Sequence, residues 1–158
     1  MGVFFVGMGG DLNNDPAAIR EAQQERQDRP VIGFHVVGDR LIDAKGAPFV
    51  MRGVNHGHVW FSERMRESLD AIAATGANCV RLVLSSGGQW RRVPGQELAD
   101  LLDACERRGL VAVPEVHDGT GWGEKSDARP MSETVDYWLS PDIREAMEGR
   151  EAFVILNI

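Results

Sequence analysis

Residues 78–84 read Asn-Cys-Val-Arg-Leu-Val-Leu and residues 110–116 read Leu-Val-Ala-Val-Pro-Glu-Val. Between them Leu98, Leu101, Leu102 and Cys105 recur at helical spacing. Two apolar runs of strand length therefore flank an amphipathic helix over residues 96–108, which Gly109 stops. A crossover helix between two strands makes them parallel. Alternation then sorts the side chains. Val80, Leu82 and Leu84 share one face, Cys79, Arg81 and Val83 the other. The aliphatic set belongs against helices, so Arg81 points the opposite way, into the interior of whatever the sheet encloses. By the same parity Val113, Glu115 and His117 lie on the side of Arg81. An arginine withdrawn from water needs a carboxylate partner, which Glu115 or an acid elsewhere can supply.

Working outward, the same rhythm continues in both directions. Residues 33–43 read as two short strands around the Gly38-Asp39 turn, and Lys45-Gly46 marks a second turn. Residues 48–54 form a strand candidate. Ser62 is a candidate N-cap for a helix carrying Met65, Leu69, Ile72 and Ala73, which Gly76 stops. Helices follow over 131–138 and 141–147, the second with Ser140 as cap and Pro141 in its first turn. Residues 152–158 read as an apolar strand. Regular alternation of strand and helix means a parallel α/β architecture. An open doubly wound sheet and a (β/α) barrel both satisfy it. Gly53-Val-Asn-His-Gly-His58 is not the Gly-x-Gly-x-x-Gly of a dinucleotide-binding sheet, and the strands end in polar and aromatic residues, as barrel sites do. The expected fold is of (β/α)8 TIM-barrel type. About the first four strand–helix units are expected in this chain, preceded by a β-hairpin.

Residues 1–30 differ from the rest. From Asp15 to Arg29 the chain is almost only Ala, Gln, Glu and Arg, polar on every side, so it buries no face. It is expected to be an exposed arm outside the domain at 31–158. Among 158 residues, 24 acids against 17 Lys and Arg give a net charge of −7. That balance, with no basic stripe, excludes nucleic acid as the main partner. No apolar run approaches the roughly 20 residues of a membrane-spanning helix. Two cysteines make neither a disulfide framework nor a zinc site. The amino terminus shows no basic stretch, long apolar run and cleavage site of a secretory signal, which leaves the compartment open.

The strand ends carry the chemistry. After the first core strand stand Asn55, His56, His58 and Trp60; the second contains Arg81; the third ends Glu115-Val-His117-Asp118, followed by Trp122. Each has a plain structural reading: an ion pair for Arg81 and Glu115, a core histidine for His117, packing for the tryptophans. His-Gly-His without a third ligand is a weak metal signal, and no metal or cofactor is expected. Together the tryptophans suit sugar, whose apolar faces stack on rings while its hydroxyls bond to His, Asn and Arg.

Arg52-Gly-Val-Asn-His-Gly-His-Val-Trp60, Gly76-Ala-Asn-Cys-Val-Arg-Leu-Val-Leu-Ser85 and Glu115-Val-His-Asp-Gly-Thr-Gly-Trp-Gly-Glu124 resemble the family five glycoside hydrolases. The likeness is greatest to the bacterial endo-β-1,4-mannanases of that family. Val135-Asp-Tyr-Trp138 and Phe153-Val-Ile-Leu-Asn-Ile158 continue it, so it covers about residues 32–158. It implies a (β/α)8 barrel that hydrolyses a β-1,4-linked polysaccharide, mannan or a related glucan, with retention and without a metal. It also implies supporting catalytic roles for Arg81 and His117, and sugar subsites at Asn55, His56, His58, Trp60 and Trp122. The family is usually secreted. Its acid/base glutamate follows the fourth strand in an Asn-Glu pair, and its nucleophile glutamate comes much later; Asn157-Ile158 stands before both. Retaining hydrolysis needs two carboxyl groups about 5–5.5 Å apart. The expectation is therefore a fragment of such a hydrolase, inactive alone and prone to self-association through open barrel edges. The alternatives are a non-catalytic glycan-binding module and a half barrel that assembles with a second half.

Overall fold

The computed structural model describes residues 16–17 and 33–158. Pro16 and Ala17 are helical and exposed; the remainder of the polar arm expected over 1–30 lies outside the described residues. Strands β1 (His35–Val37) and β2 (Arg40–Ile42) make an antiparallel hairpin with Val37 opposite Arg40. Gly38 turns it at φ 63°, a left-handed conformation that glycine adopts without strain.

The central sheet contains β3 (Gly53–His56), β4 (Cys79–Leu84) and β5 (Val111–Val116), parallel and in that order. From β3 the chain passes through α1 (His58–Phe61), a 3-10 turn at Ser62–Arg64 and α2 (Met65–Ala74) to reach β4. Helix α3 (Gly95–Glu106) returns it to β5. After β5 come a 3-10 turn at His117–Gly119, α4 (Met131–Leu139) and α5 (Pro141–Met147). Val80, Leu82 and Leu84 pack in one cluster with Leu69 and Ile72 of α2 and Leu98, Leu101 and Leu102 of α3. Each such burial contributes roughly 1.5–3 kcal/mol. The opposite face, which bears Arg81 and Glu115, is left for the site.

Three expected elements differ, each for a local reason. Ser62 is not a helix N-cap. The Gly57 carbonyl already accepts the amides of Trp60 and Phe61, so Ser62 lies in a helical run with φ −60° and ψ −34°. A capping residue needs extended dihedrals. The strand expected over 48–54 begins only at Gly53, because the Asn78 side chain substitutes for a ladder before it. Its Oδ1 accepts the Arg52 amide at 2.7 Å and its Nδ2 donates to the Val50 carbonyl at 2.8 Å. Where the ladder begins, Gly53 lies so close to β4 that an added Cβ would collide with the Cys79 carbonyl.

The strand expected over 152–158 is reduced to two isolated parallel bridges to β5, Ala112 with Val154 and Glu115 with Asn157. Ala112 both donates to the Phe153 carbonyl and accepts from Ile155, and the Pro114 carbonyl accepts from Asn157. The next donor the ladder needs is the Pro114 nitrogen, which has no hydrogen. One missing N–H interrupts the fourth strand.

Candidate functional site

The inner face of the sheet brings together residues from β4 and β5. Arg81 pairs in register with Val113, two residues before Glu115. Its side chain, 31% exposed, reaches along the sheet and places Nη2 3.0 Å from Glu115 Oε2. Oε2 is buried and this contact lacks hydrogen-bond alignment, so it keeps the capacity to accept. On the other oxygen, His117 Nδ1 lies 3.1 Å from Oε1 and also 3.2 Å from Thr120 Oγ1. One carboxylate thus joins the arginine and the histidine. Arg81 is half-buried rather than sunk in a core, because among the described residues no layer covers this face.

Two tryptophans close on the histidine. Trp90, from the loop after β4, stacks on His117 with ring centroids 5.9 Å apart at 27°. Trp60, from α1, meets His117 edge-on at 5.7 Å and Trp90 edge-on at 5.2 Å. What sets Trp90 there is Asp118. This buried carboxylate accepts the Ser86 amide at 2.8 Å on Oδ2 and the Gln89 amide at 2.6 Å on Oδ1, with the Ser85 hydroxyl 3.0 Å from Oδ1. Gln89 Nε2 donates back to the Asp118 carbonyl at 3.2 Å. Burial opposes the charge on Asp118, and the donors from Gln89, Ser86 and Ser85 overcome it, so its pKa lies below the ordinary carboxylate value. The loop carrying Trp90 is thereby fastened to the turn carrying His117.

Beside this lies a histidine pair. His58 Nε2 is 2.9 Å from Glu97 Oε1, and Arg91 makes two bonds of 2.8 Å to the Glu97 carboxylate. Those Arg91 bonds hold Glu97 below its usual pKa, against its partial burial. His56 stands 5.5 Å from His58, ring to ring, with Nε2 buried and unpartnered. Burial, and then the neighbouring His58, push His56 down to about 4.

These placements sort the expected site residues. Arg81, His117 and Trp60 come together, joined by Glu115 and Trp90. Asn55 pairs with Arg81 in register and lines with it a cavity of about 290 Å³ that also touches Cys79, Val113 and Asn157. Trp122 stands 58% exposed on the loop beyond the His117 turn. His56 and His58 do not offer the expected sugar-contacting surface. His56 pairs with Leu82, on the helix-facing side of the sheet, and His58 is 1% exposed. A one-residue step along a strand reverses the face, and the turn into α1 carries His58 beneath Glu97. Among the described residues no group of three or more His, Cys, Asp or Glu could hold a metal ion, and no helix is long and apolar enough to cross a membrane. Trp90, one of the tryptophans that together suit sugar, is not singled out by the sequence as a subsite residue: it follows Gly87-Gly88-Gln89, where no periodicity operates, and the Asp118 anchor sets its position.

Residues 42–156 match the sequence profile of the cellulase family, glycosyl hydrolase family 5. The chain belongs to glycosyl hydrolase family 5. Within the family it is 44% identical over 126 residues to a mannan endo-1,4-beta-mannosidase of Salipaludibacillus agaradhaerens, covering 80% of this chain and 39% of the relative. A mannan endo-1,4-beta-mannosidase of Cellvibrio japonicus is 48% identical, over 80% of this chain and 29% of its own length. The fold matches the beta-mannanase from Streptomyces thermolilacinus with mannohexaose at a TM-score of 0.76 and 44% identity, covering 80% of this chain and 41% of that one. It also matches the mannotriose complex of Thermomonospora fusca beta-mannanase at a TM-score of 0.76 and 36% identity, with 80% and 42% covered. The family 5 chain thus spans between 29% and 42% of these relatives, and its parallel sheet and helices are part of a (β/α)8 barrel.

Proposed function

We propose that this family 5 chain contributes one wall of the substrate cleft of a retaining hydrolase of β-1,4-linked mannan, and that the acid/base and nucleophile glutamates lie outside the sequence. The observation that carries the reading is the joining of Arg81, reaching from mid-strand in β4, and His117 on Glu115 at the carboxyl end of β5, walled by Trp60 and Trp90. In a barrel, that end is where sites are built. Exposed aromatic faces suit the apolar faces of a pyranose, and Asn55, Arg81 and His117 offer hydrogen bonds to its hydroxyls. The ligands bound by the structural neighbours, mannohexaose and mannotriose, make β-mannan the glycan of choice.

The acids near the strand ends cannot replace the absent pair. Glu115 is tied to Arg81 and His117, Asp118 to the loop at Ser86–Gln89, and Glu97 to Arg91 and His58. None is left to protonate a leaving oxygen while a second attacks from about 5 Å away. The test is titration of the chain with mannohexaose, followed by tryptophan fluorescence, alongside reducing-sugar release from mannan. Saturable quenching or enhancement without sugar release is expected. No fluorescence response at millimolar mannohexaose, or hydrolysis abolished by Glu115→Gln, would overturn the proposal.

A further inference from the structure

We infer that Glu115 is a positioning residue: it holds His117 as the Nδ1–H tautomer and so presents Nε2 to the cleft as an acceptor for a sugar hydroxyl. The inference deepens the mannan reading and rests on it for the identity of the ligand. Its geometry stands independently.

Glu115 Oε1 lies 3.1 Å from His117 Nδ1, while the permanent cation of Arg81 lies 3.0 Å from Oε2. A carboxylate beside a guanidinium accepts hydrogen bonds and donates none, so the imidazole nitrogen facing it must carry the hydrogen. The Thr120 hydroxyl, 3.2 Å from the same nitrogen, can share that donor or turn its own hydrogen away. In the neutral ring the other nitrogen is then a bare acceptor. His117 Nε2 has no protein partner among the described residues and is not fully buried, in a side chain that is 27% exposed. It therefore opens to solvent. The stacked Trp90 and the edge-on Trp60 fix the ring plane, so the lone pair points in a set direction. An isolated imidazole favours the opposite tautomer, with hydrogen on the nitrogen remote from the backbone. The site reverses that preference, and this gives the arrangement a signature that packing alone does not produce.

The test reads the tautomer directly by long-range proton–nitrogen correlation on the ¹⁵N-labelled full chain, at a pH where imidazoles are neutral. The Nδ1–H form of His117 is expected to dominate. In Glu115→Gln, Arg81 will draw the amide oxygen and leave the NH₂ group facing Nδ1, so the Nδ1–H population should fall by about fivefold or more. Thr120→Val should leave it unchanged. An Nε2–H form in the unaltered chain overturns the inference without any variant, which keeps it decidable if Glu115→Gln fails to fold. An unchanged tautomer in folded Glu115→Gln overturns it as well. Mannohexaose is then added to the unaltered chain. A shift of the Nε2 resonance supports the acceptor role. Tryptophan fluorescence that responds while Nε2 does not overturns that role but leaves the glycan reading standing. Silence of both overturns the glycan reading, while the tautomer result still decides what Glu115 does.

Discussion

Asp118 accepts two backbone amides, Ser86 on one oxygen and Gln89 on the other, and an amide side chain cannot replace it. Asparagine keeps one acceptor and turns an NH₂ group toward the second N–H. Asp118→Asn should therefore lower unfolding stability by about 1–3 kcal/mol, and a denaturant titration checks this. Because its pKa is lowered in the fold, the stability it adds is present above the unfolded carboxylate value near 4 and is lost as pH falls through the folded value. His56 acts at a higher pH with the same sign. Its pKa of about 4 in the fold stands against about 6.5 for an ordinary histidine, so between those pH values the unfolded chain binds the extra proton. Stability should fall on acidification from pH 6.5 to 4, with a slope approaching about 1.4 kcal/mol per pH unit from this group. His58, also lowered by burial, adds to it. Thermal midpoints across that range should show the slope, and His56→Gln should reduce it; an unchanged slope would mean that His56 is not the group that titrates.

At the scale of elements, Pro114 decides whether the segment after α5 becomes a strand. The chain at 153–157 lies beside β5 with three backbone bonds in place, to Ala112 twice and to Pro114 once. A residue with an N–H at position 114 would aim it at the same segment, since a residue's amide and carbonyl share a side in a strand. Pro114→Val should complete the ladder. Hydrogen exchange at the Ile155 and Asn157 amides is expected to slow, and the new amide at 114 to be protected. Exchange as fast as in the parent chain would place the interruption elsewhere. The net stability change should be small, because a hydrogen bond of about 1 kcal/mol is offset by the loss of proline's restriction of the unfolded chain.

At the scale of the whole molecule, the sheet has, among the described residues, one face covered by helices and one not. Its β3 edge pairs only with β4 among the described residues, and Val50, Met51, Val54, Leu156 and Ile158 are exposed. Unpaired backbone beside apolar side chains is a template for association. Covering even a few hundred Å² of apolar surface, at about 25 cal/mol per Å², amounts to several kcal/mol. The chain is expected to self-associate, read as a light-scattering mass that rises with concentration. A mass fixed at one chain across a hundredfold dilution series would show that this face tolerates water.

The sequence by itself determined the parallel α/β order, the helix-facing set Val80, Leu82 and Leu84, and the side on which Arg81, Glu115 and His117 stand. All of these follow from periods of 2 and 3.6 residues, which are local properties of the backbone. The family, too, was legible in contiguous motifs. Tertiary structure alone decided that Glu115 joins Arg81 to His117, that Trp90 stacks on His117, and that His58 lies buried under Glu97. Those contacts depend on where a loop is fastened. Asp118 fastens it from 29 residues away, a distance over which no periodicity carries information. The broken fourth strand falls between the two cases: Pro114 is visible in the sequence, but which neighbour needs its missing hydrogen is settled only when the strands are side by side.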